Sequence, residues 1–177
     1  MTNHEVVTAF LSAYQRHDHA AVHDYLDPQV EFSDLAFEKI TGPLVRAMWH
    51  WFCVPTASRK DPIRVVAFDV GKAEGDSVQA RYEVDYVLEG DKQVNYAINA
   101  AFTFRHGKIF RQHDTPAISN FRFAGMAMGF PKCLLALTPF FKSLIRADMG
   151  KKLAAFRAAQ PTPRGSRNEF QLRGPFP

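Results

Sequence analysis

Cysteine is nearly absent from this 177-residue chain: only Cys53 and Cys133 occur, and no C-x-x-C spacing links them. That excludes a disulfide framework and a cysteine-based zinc site, and both side chains read as small buried hydrophobes. Long apolar runs are missing as well. The longest uncharged one, Cys133 to Phe141, falls far below the roughly 20 residues a membrane-spanning helix requires, and Pro139 interrupts it. The first residues, Met-Thr-Asn-His-Glu, carry neither a basic nor an apolar leader region, so no secretory signal and a cytoplasmic location are expected. Basic charge is in slight excess, +4 overall, yet no helical or strand pattern carries a sustained basic stripe, which argues against nucleic acid as a partner.

What the chain does have is apolar and aromatic bulk. Hydrophobic residues make up 46% of it and 16 are Phe, enough to fill one substantial core. A single domain over residues 1–158 is therefore expected, with its core in 3–130 and a helical extension in 131–158. The stretch 159–177 is broken by Pro and Gly and carries Arg164, Arg167 and Arg173 against Glu169, a composition expected to be disordered. Its string Gly165-Ser166-Arg167-Asn168-Glu169-Phe170 resembles vector-derived sequence.

Thr2 and Glu5 form a capping box, and Val6, Val7, Phe10, Leu11 and Tyr14 recur at helical spacing, which predicts a helix to about His17. Asp18 caps a short second helix that stops at Asp27-Pro28. A strand follows through Val30 and Phe32, and Thr41-Gly42-Pro43 opens a third helix that ends before Pro55. From Ile63 to Asp114 the pattern has period two, in four runs separated by Glu74-Gly75-Asp76, Glu89-Gly90-Asp91 and Arg105-His106-Gly107, which predicts an antiparallel meander. Helical spacing returns through Phe121, Phe123, Met126 and Met128, and again between Leu134 and Phe156. This order predicts an α+β fold: a cone-shaped, curved antiparallel sheet wrapped around the N-terminal helices, with extra C-terminal helices across a pocket mouth or at a dimer contact.

Turn chemistry also predicts which residues face each other. A two-residue turn at Gly90-Asp91 pairs Glu83 with Ile98 and Arg81 with Ala100, and a three-residue loop at Arg105-His106-Gly107 pairs Ile98 with Asp114. Glu83, Ile98 and Asp114 then share one row, the two acids separated by two strand spacings, about 9 to 10 Å. Arg81 lies one row away on the same face, with Tyr96, Phe102 and Gln112, while Tyr82, Val84 and Tyr86 take the other face. Both faces are mixed, and a one-residue change in either turn exchanges them.

Asp34, Arg81, Glu83 and the segment Phe102 to Asp114, set in the order helix, helix, strand, helix, meander, resemble the SnoaL-like and ketosteroid isomerase-like branch of the nuclear transport factor 2-like superfamily over residues 3–130. The resemblance implies a fold built around an apolar pocket, a homodimer, and chemistry without a cofactor. In ketosteroid isomerases an Asp base moves a proton while a Tyr and a protonated Asp donate to the oxyanion. Asp34 matches the base, whereas the Tyr position reads Phe10 and the acid position reads Ala100. Limonene epoxide hydrolase-like proteins pair an Arg-x-Asp on one strand with a second Asp at the end of the last. Arg81-Tyr82-Glu83 and Asp114 match those positions with Glu for the first Asp, while Phe32, Asp34 and Gln112 stand where that family has Tyr, Asn and Trp. Carried over, Asp114 activates water, Glu83 protonates the leaving oxygen and Arg81 bridges the acids. The candidate catalytic residues are thus Asp34, Arg81, Glu83 and Asp114. The candidate substrate-binding residues are Phe10, Tyr14, Phe32, Trp49, Tyr96, Ile98, Phe102 and Gln112, facing a small hydrophobic ligand.

Each acid also has a purely architectural reading. Asp114, before Thr115-Pro116, can cap a helix; Asp34 can hold a turn; Arg81, Glu83 and Asp85 alternate as an exposed charge ladder does. His19 and His23 share a helix side with no third ligand, so no metal site is expected. Three functions remain open: a cofactor-independent isomerase or hydrolase, a non-catalytic binder of an apolar ligand, and a membrane-surface module using Lys142, Arg146, Lys151 and Lys152 beside Phe and Leu.

Overall fold

The computed structural model describes residues 1–57, 59–88 and 90–160. Helix α1 (Asn3–Gln15) begins at the capping box: Glu5 N donates to Thr2 Oγ1 at 3.3 Å and Thr2 N donates to Glu5 Oε2 at 2.8 Å. Past its end, His17 takes a positive φ of 57° that turns the chain into α2 (His19–Asp24), capped by Asp18. The Asp27-Pro28 pair does not end that helix but lies inside strand β1 (Leu26–Ser33). After the two-residue β2 (Ile40–Thr41), Gly42 at φ 49° admits α3 (Pro43–Cys53); a Cβ there would meet the Pro28 carbonyl at 3.1 Å.

Strands β3 (Arg64–Glu74), β4 (Ser77–Leu88), β5 (Lys92–Arg105) and β6 (Lys108–Pro116) form the antiparallel meander. β1 joins β6 in parallel, so the sheet is mixed, in the order β2-β1-β6-β5-β4-β3. It is curved and not closed into a barrel. The edge strand β3 is irregular twice, between Val65 and Ala67 and between Val70 and Ala73.

The register departs from the turn-based expectation at two places. Leu88 pairs with Lys92, so Tyr82 faces Ile98, Glu83 faces Ala97 and Arg81 faces Asn99. This one-residue slip moves Arg81 and Glu83 to the opposite face from Asp114. Between β5 and β6, His106 and Gly107, both at positive φ, make a two-residue turn, and Phe110 is an extra residue between the Phe104–Ile109 and Thr103–Arg111 pairs. The pairing shifts by two, Asp114 meeting Ala100 instead of Ile98, and a shift of two leaves the face unchanged.

The inner face, with Val78, Ala80, Tyr82 and Val84 of β4 and Ile98, Ala100 and Phe102 of β5, is buried against α1 and α3. Phe10, Trp49 and Phe102 lock there edge to face, with ring centroids 5.1 Å apart for Phe10–Trp49 and 5.9 Å for Phe10–Phe102. Helix α4 (Asn120–Met128) is capped by Ser119, so Asp114, inside β6, caps no helix. A 3-10 turn at Lys132–Leu137 leads into α5 (Phe141–Ala159). Helix thus continues through Ala159 with Gln160 as its C-cap, two residues into the stretch expected to be disordered; the rest of that expectation, residues 161–177, lies outside the described residues. Among the described residues no helix is long and apolar enough to cross a membrane.

Candidate functional site

A cavity of about 280 Å³ opens between the helices and the inner face of the sheet. Tyr14 of α1, Trp49 of α3, Tyr82 of β4, Tyr96 and Ile98 of β5 and Asp114 of β6 form its floor and walls. Phe123 and Met128 of α4 with Phe141 and Ile145 of α5 form the side nearest the extension. The walls are predominantly hydrophobic and aromatic, and the polar groups among them are few.

Three of those polar groups are carboxyls: Asp148, exposed and ion-paired to Lys152 at 2.7 Å, and the two that no salt bridge among the described residues neutralises, Asp34 and Asp114. Asp114 is 4% exposed; Tyr82 donates its hydroxyl hydrogen bond to Asp114 Oδ2, and Gln112 Nε2 donates to Oδ1 at 2.9 Å. Burial pushes its pKa up to about 7; the two hydrogen bonds pull it down without compensating, and the charge of Asp34 adds to the rise. Asp34 sits just past β1, where a tight loop returns the Phe37 amide to its Oδ1 at 2.6 Å. Burial again dominates and raises it to about 6, against the backbone amides of Phe37 and Ala36 and the cation of Arg146. Above them the hydroxyls of Tyr86 and Tyr96 share a hydrogen bond, and burial holds both phenols neutral. Arg59, also in the wall, donates to the carbonyls of Trp51 at 2.6 Å, Val54 at 3.2 Å and Asp61 at 2.8 Å, closing the C-terminus of α3. Among the described residues no group of three or more His, Cys, Asp and Glu is placed to hold a metal ion; His19 stacks on His50 at 3.8 Å instead.

The sequence matches the model of the SnoaL-like domain over residues 7–112, more than half of the chain. The chain belongs to the SnoaL-like domain family. Solved structures share the fold of this SnoaL-like domain. A candidate polyketide cyclase from Pseudomonas putida KT2440 is 22% identical, covering 64% of this chain and 90% of its own, with a TM-score of 0.53. A protein of unknown function with a cystatin-like fold from Xanthomonas campestris is 19% identical, covering 72% and 99%, at 0.59. An LEH-like epoxide hydrolase of M. tuberculosis is 21% identical, covering 76% and 93%, at 0.52. No curated protein matches.

Within this SnoaL-like domain the candidate residues divide sharply. Asp34, Asp114, Tyr14, Phe32, Trp49, Tyr96 and Ile98 line the cavity together. Phe10 and Phe102 lie behind that lining in the packed core, and Gln112 is a buried neighbour that reaches the cavity only through Asp114. Arg81 and Glu83 are brought to neither: both are exposed on the outer face, where Arg81 Nη1 donates to Asn99 Oδ1 at 3.0 Å. The Arg81–Glu83–Asp114 triad of the epoxide hydrolase-like comparison is therefore not assembled. Arg81→Ala and Glu83→Ala are expected to change stability by no more than about 0.5 kcal/mol, by urea unfolding, and to leave activity unaltered. Tyr82, Tyr86 and Arg59 entered the site unannounced. Tyr82 shares every second position of β4 with Val78, Ala80 and Val84, a pattern that marks it as inward once the strand is read alone.

Proposed function

We propose that the protein is a cofactor-independent acid–base catalyst of the isomerase or cyclase kind, acting on a small apolar substrate that carries a carbonyl group. The observation that carries this reading is the opening of two carboxyls, Asp34 and Asp114, into one apolar cavity. With pKa values of about 6 and about 7, Asp34 is mostly ionised near neutrality while Asp114 keeps much of its proton. Asp34 then takes a proton from the carbon beside the carbonyl. The electron pair of that C–H bond moves to oxygen as an enolate, protonated Asp114 donates a hydrogen bond to that oxygen, and Asp34 returns the proton to carbon. Although the acid position of the ketosteroid isomerase comparison reads Ala100, its partner across the ladder is Asp114, so a carboxyl stands one strand over on the same row.

The test is deuterium exchange. Cyclic ketones and β-keto esters are incubated in heavy water, and the loss of the carbon-bound proton is followed by NMR. Exchange is expected to depend on pH as a narrow bell whose limbs fall near the values of about 6 and about 7, read as properties of the coupled pair. No exchange with any carbonyl compound, together with a ligand retained unaltered in native mass spectrometry, gives the function to the second reading, a non-catalytic binder. One observation favours that reading: both Asp114 oxygens are already engaged, by Tyr82 and Gln112.

A further inference from the structure

Residues 1–119 carry twelve Lys and Arg against sixteen Asp and Glu, whereas residues 120–160 carry seven against Asp148 alone. The basic excess is therefore not scattered through the fold: it belongs to the C-terminal helices, which lie beyond the family match ending at residue 112. Exposed apolar bulk is concentrated in the same segment. Of the nine large hydrophobic residues exposed among the described residues, seven lie between Phe121 and Leu144, with Phe130 at 83%, Leu137 at 71% and Phe140 at 69% exposure. Lys132 and Lys142 stand exposed among them and pair with no acid among the described residues, while Arg146 is tied to Glu38 and Lys152 to Asp148.

Cations interleaved with protruding Phe and Leu are what an interface between water and an acidic bilayer selects: the rings and aliphatic groups enter the acyl boundary and the ammonium groups meet the headgroups. Nucleic acid offers the charge without the apolar layer. A second copy presenting the same face would bring two strongly cationic segments together. We propose that the face built by α4, the 3-10 turn and the first half of α5 docks the protein on an anionic lipid surface, from which the cavity takes its apolar ligand. The same elements wall the cavity, through Phe123, Met128, Phe141 and Ile145, so the docked face and the ligand's resting place share one partition.

Sedimentation with vesicles tests it, using the full chain. Vesicles of equal parts phosphatidylcholine and phosphatidylglycerol are expected to bring the protein down at low salt, and phosphatidylcholine alone much less. Raising the salt to about 1 M, where screening acts within ~3 Å, is expected to weaken binding strongly. Lys132→Gln with Lys142→Gln should lower the partition coefficient about fivefold per cation removed. Phe130→Ser with Leu137→Ser should lower it about tenfold or more per side chain. The substituted side chains are exposed, and unchanged circular dichroism and melting temperature verify that the fold is kept. Failure of the unaltered protein to sediment with the acidic vesicles overturns the proposal. Sedimentation that both pairs of substitutions leave unchanged overturns it equally, assigning binding to another part of the chain. A doubled mass by light scattering that Phe130→Ser with Leu137→Ser returns to one chain, without vesicle binding, gives the face to a second copy. Docking stands apart from the catalysis proposed above, since vesicles read one and carbon–proton exchange reads the other.

Discussion

Asp34→Asn is expected to slow carbon–proton exchange by about 10²- to 10⁴-fold, the usual range for loss of a positioned general base. The substitution is nearly isosteric. Asn keeps an oxygen to accept the Phe37 amide, which now reaches Asp34 Oδ1 at 2.6 Å, so the loop after β1 retains its shape and the variant lacks only the charge and the proton acceptor. Asp34→Glu keeps the base but moves it by one methylene, and a positioned group tolerates little displacement. It is expected to lose activity while retaining a pH dependence, which separates chemistry from architecture. An exchange rate untouched by Asp34→Asn, in a protein whose circular dichroism and ligand affinity are unchanged, would remove Asp34 from the mechanism.

Stability should fall as the pH rises through the range in which most proteins are most stable. The ordinary Asp pKa of 3.8 is raised to about 7 at Asp114, so the folded protein holds this proton where the unfolded chain has released it. A raised folded pKa contributes stability that is fully present below pH 3.8 and is lost as the pH climbs through about 7. Each pH unit between those two values is worth about 1.4 kcal/mol, so the full loss comes to about 4 kcal/mol, an upper figure because Asp34 titrates in overlapping fashion beside it. Asp27 and Glu31, lowered chiefly by their hydrogen bonds to Arg105 and to Lys39, act in the opposite sense and in the acid range below. Urea unfolding of the unaltered protein at about pH 4 and about pH 8 is expected to show the drop, and Asp114→Asn, having no proton to lose, should reduce it to the part that Asp34, raised to about 6, contributes in the same sense. A parallel pH dependence in both proteins would mean that Asp114 is ionised without penalty.

Much of this was legible where the signal is local. The Thr2–Glu5 box, the Asp18 cap and Gly42-Pro43 each act within one turn of helix, and the three N-terminal helices start there. The site was harder to read because it depends on long-range pairing. Glu89-Gly90-Asp91 is compatible with a two-residue or a three-residue connection, and that choice alone decides whether Glu83 or Tyr82 looks inward. Asp114 kept its face because the turn at His106-Gly107 and the extra Phe110 together shift β6 by an even number. Aromatic side chains hide the difference between core and pocket: Phe10 and Phe102 have the same character as Phe32 and Trp49, yet only the latter pair reaches the cavity. Arg59 gave no motif because its bonds go to main-chain carbonyls, which any sequence supplies.

The two irregularities in β3 have a bearing on how the protein behaves in a crowded solution. A straight edge strand presents evenly spaced amides and carbonyls that another chain can copy, and such edges nucleate aggregation. In β3 that spacing is broken between Val65 and Ala67 and again between Val70 and Ala73, and Arg64, Asp69, Lys72 and Glu74 add charge along the same strand. A passing strand finds at most a few residues in step before the ladder fails, so this margin of the sheet resists templating although the curved sheet never closes on itself.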